Sequence, residues 1–367
     1  MSGKTKPPVV VAMSGGVDSS VAALLLLEAG SEVIGITMQV WDHAQTGRAP
    51  YRGCCSREDV DDARGVAEQL GIPFYAVNFQ ERFAEKVVDP FVREYLAGRT
   101  PNPCVLCNSE IKFQTLLDRA RELGADFLAT GHYARIAAGG PGTPWRMLCG
   151  RDPNKDQSYF LFTLTQGQLA HTLFPVGELR KTEVRHRAKE AGLKVKDKPE
   201  SQEICFVDQG HYRDFVRRRS CSERLNGEGE IVDLFGRRLG RHQGIYRYTI
   251  GQRRGLRISS PEPLYVAELD AENNLVKVGP ESALYHQKML VRELHWIAGE
   301  PVSPQENVRV KVRYKATARP ARVEPAGAGR WRIVFQEPER AITPGQAAVL
   351  YSGEEVLGGG WIEAWED

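Results

Sequence analysis

One short stretch, Ser14-Gly15-Gly16-Val17-Asp18-Ser19-Ser20, constrains this chain more than any other. An apolar run, Val9-Val10-Val11-Ala12-Met13, precedes it and reads as a buried parallel strand. A helical run from Ser20 to Ala29 follows, with Gly30 where a terminating glycine belongs. Strand, glycine loop and helix in that order aim free backbone N–H groups and a helix dipole at an anion. The glycine pair allows close backbone approach and positive φ, and Ser14, Ser19 and Ser20 add hydroxyl donors. No Gly-Lys-Ser/Thr follows, so this is not a Walker-type loop.

The stretch matches Ser-Gly-Gly-x-Asp-Ser-Ser, the signature of the PP-loop pyrophosphatases. That resemblance implies cleavage of ATP between its α and β phosphates, with a substrate oxygen adenylated and pyrophosphate released. An ordinary glycine turn is the competing reading; the full match in strand–loop–helix context outweighs it.

A chain of 367 residues should form about two to three domains, and 41% hydrophobic with 26% charged residues suits a globular protein. Residues Met1 to Pro8 are polar, and no stretch approaches the ~18 apolar residues of a membrane span, so we expect a cytoplasmic protein with no membrane partner. The seven cysteines (Cys54, Cys55, Cys104, Cys107, Cys149, Cys205, Cys221) are an odd number, which argues against a disulfide framework and for reactive or metal-binding thiols. Charge is uneven: residues 206–260 carry +6 and residues 309–323 another +6, leaving −10 on the rest of a chain whose net charge is +2. An acidic body with two basic segments suggests a docked polyanion.

Strand patterns at 32–38, 74–79 and 127–130 alternate with helical ones, one interrupted at Pro90, another capped by Ser56 and Asp59. They predict an α/β fold: a parallel-sheet, nucleotide-binding PP-loop domain over 1–205. Met38 closes the second strand and Gly131-His132-Tyr133 the fourth, both at the carboxyl edge where nucleotides sit. The stretch from Trp41 to Gly53 reads as an irregular loop. Beyond about residue 225 short strands and turns dominate, predicting a small β-rich central domain (206–285) and a C-terminal β-barrel (286–367).

Pro101-Asn102-Pro103-Cys104-Val105-Leu106-Cys107-Asn108 is the second informative stretch. Its cysteines precede a helix expected from about Ser109, and a helix N-terminus favours thiolate. Cys205 in Ile204-Cys205-Phe206 is a third candidate. A half zinc site, a redox pair and packed thiols are the ordinary readings of Cys-x-x-Cys. Two functional ones stay open. Cys104, Cys107 and Cys205 could ligate a [4Fe–4S] cluster, or Cys205 could carry a persulfide that Cys107 resolves as a disulfide bond. Cys54 and Cys55 read as structural, Cys149 and Cys221 as buried small hydrophobes.

Together with Lys155-Asp156-Gln157-Ser158-Tyr159-Phe160, Gly251-Gln252-Arg253 and Thr343-Pro344-Gly345-Gln346, these motifs span the chain. In them the chain resembles the MnmA family of tRNA-specific 2-thiouridylases. Position by position, the resemblance implies ATP binding by Ala12, Met13, Ser14, Gly15, Gly16, Val17, Asp18, Ser19, Met38 and Gly131. It implies Cys107 as nucleophile and Cys205 as persulfide carrier, with Asn102, Pro103 and Cys104 against the target base. It implies tRNA contact by His132, Lys155, Asp156, Gln157, Arg313, Tyr314 and Gln346. The target would be wobble uridine 34 of the tRNAs for Lys, Glu and Gln. ATP with Mg²⁺ would adenylate its O2, and sulfur from a donor protein or hydrosulfide would replace AMP at C2. A monomer is expected. Some family members carry an acid/base Asp where this chain has Cys104, and a thiol (reference pKa ~8.5 against ~3.9) replaces it poorly.

Independently of the resemblance, Arg309, Lys311, Arg313 and Lys315 alternate with Val310, Val312 and Tyr314, which puts four cations on one strand face. Arg217-Arg218-Arg219, Arg237-Arg238 and Arg253-Arg254 add phosphate partners. An amide-forming PP-loop ligase and a non-catalytic RNA-binding protein are the competing functions. The arginine-rich segments oppose the first and the intact loop opposes the second.

Overall fold

The computed structural model describes residues 8–41, 57–140, 142–199, 204–207, 212–220, 227–301 and 308–366. The expected loop at 42–53, the Ser56 cap, Cys54, Cys55 and Cys221 lie outside them. The apolar run forms β1 (Val9–Ala12), followed by α1 (Val17–Glu28). The helix starts at Val17 rather than Ser20 because Gly16, at φ −99°, is its N-cap; only Gly15 has positive φ, +70°. Gly30 ends it as expected, its N–H donating to Leu27 O and that of Ser31 to Leu26 O.

Next come β2 (Val33–Gln39), α2 (Arg57–Leu70), β3 (Phe74–Asn78) and α3 (Gln80–Phe83). A π-helical turn, Ala84–Val88, joins α3 to α4 (Asp89–Leu96), so Pro90 does not interrupt the helix. The widened turn makes room for a ring that would otherwise crowd the carbonyl four residues back. α5 (Pro103–Leu106) runs on through π-helical turns, Cys107–Leu116, into α6 (Leu117–Glu122). This helix begins well before Ser109, because a proline costs nothing at a first helical position, where its N–H would lack a partner anyway.

The first unit continues with β4 (Phe127–Thr130), β5 (Ala134–Ala137), β6 (Arg146–Cys149), α7 (Gln166–Leu169), β7 (Thr172–Leu173), α8 (Lys181–Glu190) and α9 (Tyr212–Arg219). Its sheet is parallel in the order β3-β2-β1-β4-β7. β1 lies in the middle, with Ala12 opposite both Ile36 and Thr130, so the loops leaving β1 and β4 meet where the strand order reverses.

A four-stranded central sheet follows, β8 (Glu228–Asp233), β9 (Arg238–Gln243), β10 (Tyr265–Asp270) and β11 (Leu275–Gly279), in the order β10-β11-β8-β9. The last unit comprises β12 (Tyr285–Trp296), β13 (Val308–Lys311), β14 (Arg319–Gly327), β15 (Arg330–Arg340), β16 (Ala347–Ser352) and β17 (Glu355–Glu366). These six strands close into an antiparallel barrel through the pairing of β12 with β17. The hairpin β5–β6 of the first unit adds to its outside, β6 pairing with β17. One hydrophobic core runs from Val10, Ile36, Leu128 and Tyr159 to Ala347, Val349, Tyr351 and Val356, joining the parallel sheet to the barrel. Among the described residues no helix is long and apolar enough to cross a membrane.

Candidate active site

The loop after β1 is built by its own side chains. Ser14 N–H donates to Ser19 Oγ at 3.2 Å, while the Ser19 and Ser20 hydroxyls donate to Gly16 O at 3.1 and 2.9 Å. Thr37 of β2 donates to Met13 O at 2.6 Å and ties the loop to the next strand. A Cβ on Gly15 would sit 2.2 Å from the Asp59 carbonyl oxygen, so only glycine fits under α2. Gly16 offers no side chain to cap α1, which leaves the helix entrance as an anion site.

Asp18, in the first turn of α1, is the electrostatic centre. Its Oδ1 accepts from the Tyr133 hydroxyl and from Lys181 Nζ, both at 2.7 Å, and its Oδ2 accepts from Lys181 Nζ at 2.8 Å. Lys181 is only 7% exposed. Sequence reasoning missed it: it stands 163 positions from Asp18 in an ordinary basic helix start, with no local signal.

Gly131 lies where β4 meets α1. A Cβ there would fall 2.6 Å from Ser19 N and 2.7 Å from Asp18 C, both backbone atoms. Gly131→Ala should therefore cost about 1–3 kcal/mol of stability by pushing the loop aside, as thermal melting will check.

His132 is buried between Thr130 and Lys112, its Nδ1 2.7 Å from Thr130 Oγ1 and its Nε2 3.4 Å from Lys112 Nζ. Burial, with the Lys112 ammonium beside it, pushes its pKa well below the usual range. The ring is therefore neutral near pH 7, with Nε2 accepting from Lys112 and Nδ1–H donating to Thr130.

Cys107 and Cys205 border one hydrophobic core. Both pack at the margin of a core formed by Phe83, Phe91, Phe206, Phe215 and Val40. Met38, at the end of β2, borders this core and also the one beneath the parallel sheet. Through Met38 this core reaches the carboxyl edge of the sheet, where the loop after β1 begins. Cys104 is exposed at the second position of α5. Among the described residues no group of three His, Cys, Asp or Glu side chains is placed to hold a single metal ion. Cys149 is only half-buried; burial, then the charge of Asp156, raises its pKa to about 11 and keeps it a thiol at neutral pH.

The expected tRNA-contacting residues divide. Asp156 is buried and accepts from Gly150 N–H, Ser158 N–H and the Ser158 hydroxyl, so it organises its own turn. Gln157 pairs with Tyr133, its Oε1 accepting from Tyr133 N–H, while Lys155 is part-exposed. Tyr314 stacks obliquely on Phe160 at 4.5 Å, and Arg313 donates to Arg340 O. Gln346 donates to Thr100 O and Pro101 O, just ahead of the thiol helix.

The four-cation face does not form. Strand pairing ends at Lys311, whose ammonium turns to the Tyr351 ring at 5.4 Å and to Asp156 at 3.9 Å. An alternating pattern needs a continuing strand, and the chain bends after Lys311. Of the other arginines, Arg219 approaches Asp89 and Trp41, while Arg237 and Arg238 pair with Asp233 and Glu230. Arg253 and Arg254 are exposed.

Three family profiles match in succession: a tRNA methyl transferase HUP domain over residues 7–209, a tRNA methyl transferase PRC-barrel domain over 213–280, and an aminomethyltransferase β-barrel domain over 286–362. The chain is 54% identical over 370 residues to the tRNA-specific 2-thiouridylase MnmA of Geobacter metallireducens, covering 99% of each chain. It is 55% identical to that of Geotalea uraniireducens, over 97% of this chain and 94% of the relative. The protein of that name from Magnetococcus marinus is 52% identical over 96% of this chain and 98% of the relative.

Proposed function

Because this chain belongs to the tRNA-specific 2-thiouridylase family, we propose that its two clusters at the sheet edge divide the reaction, the loop with Asp18 consuming ATP and the thiols delivering sulfur. The observation that carries this reading is their convergence: Cys107 and Cys205 border the same core as Met38, beside the loop. The protein is a tRNA thiolation enzyme that uses ATP. Uridine O2 attacks the α phosphorus of ATP, pyrophosphate leaves, and C2 becomes an electrophile with AMP as its leaving group. The helix entrance at Gly16 holds the departing phosphates. A Mg²⁺ arriving with the nucleotide would neutralise phosphate charge, with Asp18 as the carboxylate that would hold it, since such ions take one or two carboxylates plus phosphates.

Sulfur then moves by a persulfide relay. The terminal sulfur of a Cys205 persulfide attacks C2 and AMP departs. The Cys107 thiolate attacks Cys205 Sγ, breaking the S–S bond to the base. This leaves 2-thiouridine and a Cys107–Cys205 disulfide, which an external dithiol reduces. A persulfide-bearing sulfur carrier reloads Cys205: the Cys205 thiolate takes the carrier's terminal sulfur, and the carrier leaves as its thiolate. The substrate is wobble uridine 34 of the tRNAs for Lys, Glu and Gln, whose single-stranded loop makes unstacking cheap. The enzyme works in the cytoplasm as a monomer.

The test is to incubate protein, ATP, Mg²⁺, a persulfide donor and tRNA bearing uridine 34. One AMP and one pyrophosphate per 2-thiouridine are expected, with none from a tRNA carrying cytidine 34. Release of ADP and phosphate instead, or an unmodified uridine, overturns the reading.

A further inference from the structure

The barrel grips the chain immediately ahead of the thiol helix. Thr100 N–H donates to Pro344 O at 2.8 Å. Gln346 Nε2 donates to Thr100 O at 2.9 Å and to Pro101 O at 3.2 Å. Between them Gly345, at φ +89°, lies so close that a Cβ would sit 3.0 Å from Arg99 Cβ, Thr100 N and Thr100 O. The next residue makes a second strap. Ala347 O accepts from the hydroxyl of the fully buried Tyr159 at 2.9 Å, and that hydroxyl lies beside the side chain of Asn102, the N-cap of α5. A third link comes from β12: Arg292 reaches Glu94 at 4.0 Å, and Glu94 is held by the Arg99 guanidinium at 2.6 and 2.7 Å.

We infer that Gln346 and Tyr159 are positioning residues that set the helix carrying Cys104 and Cys107 against the barrel, so that RNA held by the barrel meets a correctly placed thiol. Two consecutive barrel residues, Gln346 and Ala347, reach residues 100–102, next to the first helical turn. The Gln346 amide nitrogen is committed to two carbonyl oxygens of the catalytic unit, which assigns it a task besides the tRNA contact implied by resemblance. The inference rests on the thiolation reading only for its consequence in turnover; the straps themselves are properties of the unliganded chain.

Gln346→Met keeps size and loses the donor, and Tyr159→Phe keeps the ring and loses the second strap. The rate of Cys104 and Cys107 alkylation, mapped by mass spectrometry without ATP or tRNA, should change about threefold or more in each. With everything bound, kcat for thiolation should fall about tenfold or more, since a small misplacement of reacting groups is costly. In Tyr159→Phe the Kd for tRNA should stay within about twofold, and Gln346→Glu, which cannot donate to the carbonyls, should not rescue kcat. Unchanged alkylation with a loss confined to tRNA affinity makes Gln346 an RNA contact and overturns the inference; so does altered alkylation with unchanged kcat. If one variant fails to fold, the other decides. Were the wild-type protein itself unable to thiolate tRNA, the proposed function would fall while the alkylation rates still judged the straps.

Discussion

Lys181→Met will lower kcat/KM for ATP-dependent AMP release by about 10²–10³, or some 3–4 kcal/mol of transition-state stabilisation. Lys181 meets both oxygens of Asp18 at the entrance of α1, at 2.7 and 2.8 Å, and is almost wholly buried. Without it the carboxylate keeps only the Tyr133 hydroxyl among these partners and faces the incoming triphosphate as an uncompensated like charge. Breaking a buried pair costs about 3–5 kcal/mol of stability. Asp18 is nearly a third exposed, so the lower end of that range applies. Lys181→Arg should recover part of the loss, because charge returns while the compact ammonium geometry does not. Binding of tRNA should be unaltered. The check is a pyrophosphate-release assay across ATP concentration; a loss below about threefold would make the pair merely structural.

Cys107→Ser will abolish 2-thiouridine formation, to below about 10⁻³ of wild type, while a single tRNA-dependent release of pyrophosphate survives. The distinction follows from the relay. Adenylation needs the loop after β1 and not the thiol, whereas release of the base from Cys205 needs a second thiolate. The variant should accumulate tRNA joined to Cys205 through a disulfide that dithiothreitol cleaves. Cys205→Ser should accept no labelled sulfur and form no such adduct. Denaturing gels of labelled tRNA, with and without reductant, separate the two. Wild-type thiolation by Cys107→Ser would falsify the resolving role.

The loop was legible because its information is local. Gly15, Gly16 and three serines lie in one stretch between an apolar run and a helix, and spacing alone implies an anion cradle. The central short-strand texture and the final barrel were legible for the same reason, through turn residues at short intervals. Where local rules misled, a neighbouring turn had compensated. Pro90 follows a π-helical turn, and Pro103 opens a helix rather than delaying one. The alternating cations at 309–315 implied one basic face, but a bend after Lys311 sent that ammonium to Asp156 and Tyr351.

Residue types and short spacings determine what chemistry this chain carries: a phosphate loop, a Cys-x-x-Cys helix start, a third cysteine beside a phenylalanine. Which groups meet is decided only by the fold. Asp18 finds Lys181 across 163 positions, Cys107 and Cys205 border one aromatic core, and the barrel's Gln346 reaches Thr100 across 246. The reason is physical. Helix, turn and strand preferences arise within a few residues, whereas long-range ion pairs and hydrogen bonds depend on where burying apolar surface brings distant segments together.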